Sequence, residues 1–243
     1  GTTQVKQSPV ENPNIPGTLD VTFDYQFDAN GDGSMDLSSV DAGLVGATKT
    51  FYSYRTASTK QGYSLVGVDT GTDTKIARIR QNDNSLDTSF GDASSGIYTL
   101  SGVTGLNHLS LDSLDRILIT GTHSGAGWAQ RLTTAGVADV AFTVPVALVE
   151  ANAVGQQKSG RYILAGKDNS GNGVLVAFQD ALVSPATTLA VDTTFNPLGQ
   201  VNGTPAATTA GWFTASATSS GLYNVTINGD DTILIAYQDT TVQ

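Results

Sequence analysis

The sequence predicts an all-β fold, a β-propeller of about four blades, and three observations predict it. A five-residue pattern ending in Phe recurs four times along the 243 residues. Between the copies lie short runs of β-branched and aliphatic residues bounded by Gly and Asp. They amount to about four strands per unit of roughly 50 residues, the size and strand number of one propeller blade. Acidic residues are almost all Asp, 20 against the 2 glutamates Glu11 and Glu150. Asp favours turns and Glu favours helices, so this imbalance argues for strands and turns.

The Phe pattern is the strongest signal. Its copies are Leu19-Asp20-Val21-Thr22-Phe23, Leu86-Asp87-Thr88-Ser89-Phe90, Ala138-Asp139-Val140-Ala141-Phe142 and Val191-Asp192-Thr193-Thr194-Phe195. Phe-to-Phe spacings are 67, 52 and 53 residues, and half of the 8 phenylalanines sit in the pattern. Asp20, Asp87, Asp139 and Asp192 are expected to accept backbone N–H bonds in a repeated turn.

An apolar strand precedes each copy after the first. These runs are Tyr63-Ser64-Leu65-Val66-Gly67, Ile117-Leu118-Ile119-Thr120-Gly121 and Tyr162-Ile163-Leu164-Ala165-Gly166, and Thr232-Ile233-Leu234-Ile235-Ala236 is a fourth. Aligned on the terminal Gly, Ala236 takes the place of Gly121. Such dense apolar runs read as buried strands. A third strand follows, as Ile76-Ala77-Arg78-Ile79, Trp128-Ala129-Gln130-Arg131-Leu132 and Val174-Leu175-Val176-Ala177-Phe178. A weaker strand comes first in each unit, for example Leu106-Asn107-His108-Leu109-Ser110-Leu111 and Leu222-Tyr223-Asn224-Val225-Thr226-Ile227. Brief helix is expected only within residues 41–57.

The units resemble the bacterial delta-sixty repeat propellers, whose repeats carry an apolar "ILxxG" strand, a strand ending near Arg-Leu, and a closing "G-x-LD-x-SF" turn. Arg116-Ile117-Leu118-Ile119-Thr120-Gly121, continuing to Phe142, is similar to the strands, and Asn84-Ser85-Leu86-Asp87-Thr88-Ser89-Phe90-Gly91 to the turn. The resemblance covers roughly two thirds of the chain. It departs at Ala236, at Ala138 and between Phe23 and Tyr63. It implies an exported or surface-linked protein and no particular chemistry.

The two ends read as halves of one blade. The last unit stops before a third strand, and the first begins with its closing pattern. The sequence therefore organises as a single domain, 1–243, in which 1–23 completes the blade begun by 220–243, and 24–49 is an insertion. Thr2-Thr3-Gln4-Val5-Lys6 falls where the third strand of that blade belongs. An open sheet edge templates pairing with other chains. The segment can close the ring in cis, or dock into a neighbour in trans, and a non-closing contact of that kind makes filaments.

One loop carries metal chemistry. In Asp28-Ala29-Asn30-Gly31-Asp32-Gly33-Ser34-Met35-Asp36, the residues Asp28, Asn30, Asp32, Ser34 (through its carbonyl) and Asp36 place oxygens at spacings that wrap a hard cation such as Ca2+. Position 12 is Ser39, not the Glu of an EF-hand. The loop resembles the nine-residue calcium loop of integrin-type propeller repeats, which implies structural Ca2+. Asp112 with Asp115, Asp230-Asp231, and Asp168-Asn169-Ser170-Gly171-Asn172-Gly173 read as hairpin turns.

Composition narrows the function. A net charge of −10 and a pI near 4.3 argue against nucleic acid as a partner. The longest nearly apolar run, residues 140–149, is 10 residues with Pro145 inside it, short of the about 20 of a membrane-spanning helix. The absence of Cys, the sparse charge and the Thr/Gly/Asn richness point to an extracellular or cell-surface protein. A start at Gly1 is compatible with a removed secretion signal. Thiol, Walker-loop, G-x-S-x-G and H-E-x-x-H signatures are missing. His108 reads as a wall residue and His123 as an exposed loop residue. The expectation is a non-enzymatic structural, self-assembling surface or filament subunit whose partner is itself. The alternative is a lectin-like adhesion module binding a glycan or surface protein, with Trp128, Trp212, Tyr52, Tyr54, Tyr63, Tyr98 and Tyr223 as stacking platforms. Asn202 and Asn224 stand in glycosylation sequons.

Overall fold

The computed structural model describes residues 37–46, 48–55, 62–81, 85–180, 188–196, 200–201, 204–205, 210–215 and 219–239. Strands β1 (Thr48–Arg55), β2 (Gly62–Asp69), β3 (Thr74–Arg80) and β4 (Ile97–Leu100) form the first sheet in that order. Strands β5 (Leu106–Leu111), β6 (Ile117–His123), β7 (Ala126–Leu132) and β8 (Ala138–Phe142) form the second in the same way. The third begins with β9 (Leu148–Gln156), β10 (Tyr162–Asp168) and β11 (Gly173–Phe178). The chain then returns to the second sheet, where β12 (Thr188–Leu189) pairs parallel with Ala141 and Phe142 of β8. Strands β13 (Gln200–Val201), β14 (Thr204–Pro205) and β15 (Trp212–Thr214) complete the third sheet, with β15 beside β11. The fourth sheet is β16 (Ser219–Ile227) paired with β17 (Ile233–Asp239). The sequence-predicted all-β character is thus present, in sheets of four, five, six and two strands. A single helical turn, α1 (Leu37–Val40), and a 3-10 turn at Ala42–Leu44 precede β1. Helix therefore stops short of most of the 41–57 window, where Lys49, Phe51 and Tyr54 lie on a strand instead.

The sheets stack in chain order. The first strand of each later sheet meets the sheet before it: β5 meets β1 and β2, β9 meets β5, β6 and β7, and β16 meets β9, β10 and β11. Both faces of a middle sheet are therefore buried, which is why its strands read as continuous apolar runs rather than alternating ones. Leu65, Ile76 and Phe90 of the first sheet pack with Leu109, Ile117, Ile119 and Leu132 of the second. Leu118, Val140 and Phe142 pack with Val154, Tyr162, Leu164, Val176 and Phe178 of the third, Phe142 lying edge-on to Tyr162 and Phe178 at 5.5 and 5.1 Å. Ile163, Ala165, Leu175 and Ala177 pack with Leu222, Val225, Ile233 and Ile235 of the fourth. The remaining face of the first sheet, with Val66, Val68, Ala77 and Ile79, is covered by Leu37 and Leu44.

Pairing corrects the alignment of two repeats by one residue. Each closing pattern bridges its third strand, at Ile79 with Leu86, Leu132 with Ala138, and Phe178 with Val191. Those third-strand residues pair in turn with Ser64, Ile117 and Tyr162. The turn hydrogen bonds Asp112 N to Arg116 O, Gln157 N to Arg161 O and Asn228 N to Thr232 O place Ile233 in the same rank. Val68 and Tyr237, not Gly67 and Ala236, therefore stand where Gly121 and Gly166 stand. The glycines there have a local cause. A Cβ on Gly121 would enter the Trp128 ring, and one on Gly166 would strike the carbonyl of Glu150. A slip of one residue exchanges the faces of a strand, so the corrected register decides which side chains meet the next sheet.

Candidate functional site

The repeated Asp is an anchor for arginine as well as a turn residue. Asp87 accepts from the N–H and hydroxyl of Ser89 at 3.1 and 2.8 Å, and Asp192 does the same with Thr194 at 2.9 and 2.6 Å. The third described copy has Ala141 in place of a hydroxyl residue and runs on as β8. All three carboxylates meet a guanidinium: Asp87 meets Arg78 and Arg80 at 2.8 and 3.1 Å, Asp139 meets Arg131 at 2.7 Å, and Asp192 meets Arg161 at 2.6 Å. Arg78 and Arg161 also lie over the Phe90 and Phe195 rings, 4.7 and 5.8 Å from the centroids. Burial pushes Asp87 and Asp192 up. The bonds from Ser89 and Thr194 and the neighbouring Arg78 and Arg161 outweigh it and hold both below the usual carboxylate range. Arg78 and Arg131 hold the same third-strand position, one residue before Ile79 and Leu132, whereas Arg161 stands just before β10, so spacing marks two of the anchors and not the third. Asp20 lies outside the described residues.

The densest charged cluster crosses from the second sheet to the third. The fully buried Tyr162 hydroxyl accepts from Arg116 Nη2 at 2.8 Å and Arg131 Nη1 at 2.9 Å, and donates to Asp112 Oδ2 at 2.9 Å. Asp180 takes both guanidiniums, Arg116 at 2.8 Å and Arg131 at 2.9 Å. Burial raises the Asp180 carboxyl, and the two arginine hydrogen bonds more than reverse it. Burial, followed by the Asp112 charge, pushes the Tyr162 hydroxyl above its ordinary value. A hydroxyl with no exposure, held by Arg116, Arg131, Asp112 and, at 3.4 Å, Asp180, joins the second sheet to the third. Sequence reading found the Asp112 turn but not this lock, because its cross-sheet partners lie 31 to 64 residues apart, as Arg131 with Tyr162 and Arg116 with Asp180.

The other predicted positions are distributed through the fold. Asp28, Asn30, Asp32, Ser34 and Asp36 lie outside the described residues, as do Thr2-Thr3-Gln4-Val5-Lys6 and Asn202. Among the described residues, no cluster of three or more His, Asp or Glu stands close enough to hold a metal. His108 is largely buried on β5 with an unpartnered Nδ1, and burial lowers its pKa. His123 is not a free loop residue. It ends β6, and its Nδ1 meets the Thr104 N–H at 3.2 Å and hydroxyl at 3.1 Å. Asp168 closes its turn by accepting from the N–H groups of Ser170 and Asn172 at 2.9 and 2.8 Å. Trp128 donates its indole N–H to Thr104 O at 3.0 Å, and Tyr98 is buried with its hydroxyl on Gln130. Tyr63 stacks on Arg78 at 4.9 Å, while Trp212 packs partly buried against the second–third layer. Tyr223 is 50% exposed.

Among the described residues, the fourth sheet departs from the repeat in the exposure of its outward face. In the corrected register Leu65, Leu118, Ile163 and Leu234 are equivalent, each pointing away from the preceding sheet. The first three are 0% exposed and Leu234 is 52% exposed. Asn107 and Asn152 occupy bulges at matching positions of β5 and β9. Each donates to the first strand of the next sheet, to Ala151 O and Leu222 O, both at 3.0 Å. Tyr223 holds that bulge position on β16. Tyr223, Asn224, Thr226, Leu234 and Ala236 are all exposed. Comparison with protein-family models, curated proteins and solved structures finds no match.

Proposed function

We propose that the chain is a non-enzymatic structural subunit of an extracellular or cell-surface assembly, built of about four propeller-like blades stacked as an open array whose copies join at the unfinished fourth sheet. The observation that carries this reading is Leu234, 52% exposed where its three equivalents are 0% exposed. The remaining described features support it. Mostly antiparallel sheets follow one another in chain order, and the most deeply buried of the described ion pairs, Arg131 with Asp180, ties the second sheet to the third. In this reading Thr2-Thr3-Gln4-Val5-Lys6 pairs with the outer edge of β17, within the molecule or in a neighbour. The loop of Asp28, Asn30, Asp32, Ser34 and Asp36 holds a structural Ca2+. The similarity to delta-sixty repeats agrees with export. Tyr223, 50% exposed, favours a second reading, stacking against a sugar in a lectin-like module.

Electron microscopy with light scattering across concentration tests the assembly. Fibres or concentration-dependent oligomers in the wild-type chain, lost in Val5→Pro, support strand exchange, since proline cannot donate to a ladder. Dispersed monomers at every concentration would refute assembly, and capture on a glycan array, lost in Tyr223→Ala, would favour the lectin.

A further inference from the structure

We propose that the outward face of the fourth sheet is a two-fold self-association surface, on which Leu234 and Ala236 of one copy pack against the same residues of a second copy. The proposal deepens the assembly reading by naming the contact, and it makes no use of the N-terminal strand. Three observations carry it.

The first is the repeat itself. Every described sheet has an outward rank on its second strand that carries a leucine or isoleucine. In the first three sheets that rank is sealed by the next sheet, with Leu65, Leu118 and Ile163 all 0% exposed. The fourth sheet keeps the rank, with Leu234 and Ala236 exposed on it. Apolar surface on a face that its equivalents bury marks an interaction site more strongly than a scattered surface leucine does.

The second is what could seal it. The natural mate in a head-to-tail stack would be the opposite end of the array, the open face of the first sheet. That face is already occupied: Leu37 and Leu44 cover Val66, Val68, Ala77 and Ile79, and are themselves 3% and 0% exposed. A further copy therefore cannot add its first sheet to the fourth without displacing this cover. A like face is the remaining partner in a second copy, and like-to-like pairing is the isologous, closed arrangement.

The third is charge. The chain carries a net −10, so two copies repel over most of their surface. Tyr223, Asn224, Thr226, Leu234 and Ala236 include no ionisable carboxylate or amine. Asp230 and Asp231 are set in the turn beyond the sheet, where Asp231 accepts from the backbone N–H of Lys158 at 2.8 Å. A neutral, partly apolar patch on an acidic protein is where a second acidic copy approaches at the lowest electrostatic cost.

The absence of cysteine from the chain makes the test direct. Ala236→Cys in the full-length protein should form a disulfide-linked dimer on mild oxidation, while Val146→Cys, at a 96% exposed loop position, should not. In light scattering, Leu234→Arg should raise the self-dissociation constant at least about a hundredfold, a tenfold loss for each copy's leucine. Equal cross-linking at positions 236 and 146 would overturn the proposal. So would protection of the Ala236→Cys thiol from a maleimide in the monomer, which would mean that the chain's own segment covers the face. Association kept in Leu234→Arg but lost in Val5→Pro would sink this contact and leave strand exchange standing. The reverse pattern would establish the face and remove strand exchange, and a wild-type chain monomeric throughout would end both.

Discussion

Replacing Asp180 by Asn tests whether the polar lock between the second and third sheets holds the fold. The substitution keeps the shape and removes the one carboxylate shared by Arg116 and Arg131, whose side chains are 18% and 7% exposed against 4% for Asp180. Breaking a buried pair from one side costs about 3–5 kcal/mol, because the remaining charge stays buried. Here Arg116 keeps Asp112 at 2.6 Å, and Arg131 keeps Asp139 at 2.7 Å. The low end applies, about 3 kcal/mol, or a drop of about 6–12 °C in melting temperature for a chain of this size. Asp139→Asn is the control. Asp139 is 30% exposed and serves one arginine, so its loss should cost no more than about 1 kcal/mol. Urea and thermal unfolding followed by circular dichroism read both. A cost below about 0.5 kcal/mol for Asp180→Asn, or equal costs for the two variants, would refute the reasoning.

Three further outcomes follow from the same structure. His108, disfavoured as a cation by burial, should make stability fall as pH drops through the ordinary histidine value of about 6.5, since the unfolded chain binds a proton that the folded one refuses. His108→Leu should flatten that limb and leave the steeper loss below about pH 4, where Asp87, Asp180 and Asp192 reach their lowered values. An unchanged pH profile would count against it. Gly136→Ala should cost at least about 2 kcal/mol, because Gly136 has φ +73° and an added Cβ would enter the ring of fully buried Phe90; a neutral result would place that ring elsewhere. Ca2+ at a hundred times its dissociation constant should stabilise by about 2.7 kcal/mol, and Asp32→Ala should abolish the effect. Melting unmoved by chelator and by Ca2+ would eliminate the site.

Strand content was legible because buried strands are continuous apolar runs, and the closing pattern was legible because its Asp and hydroxyl make a local turn at Ser89 and Thr194. Register was not. Gly67 and Ala236 look like the ends of repeats, yet the glycine at Gly121 and Gly166 answers to local crowding by Trp128 and Glu150, which the other two sheets do not share. The Tyr162 lock was hidden for a different reason: its members are joined by the stacking of the second sheet on the third, not by spacing. The return of the chain at β12 to the edge of β8 likewise depends on a two-residue pairing too short to leave a pattern. The exposed rank at Leu234 became visible only once the register was known, because a one-residue error turns that side chain inward.

Thiol reactivity of four single-cysteine variants tests the central claim most directly. Leu65→Cys, Leu118→Cys, Ile163→Cys and Leu234→Cys occupy equivalent positions in four stacked sheets. In dilute solution the first three should resist labelling until the chain unfolds, while the fourth reacts at the rate of an exposed thiol. Rapid labelling at 65, 118 or 163, or a thiol at 234 as protected as the others, would contradict the stacked array with one open face.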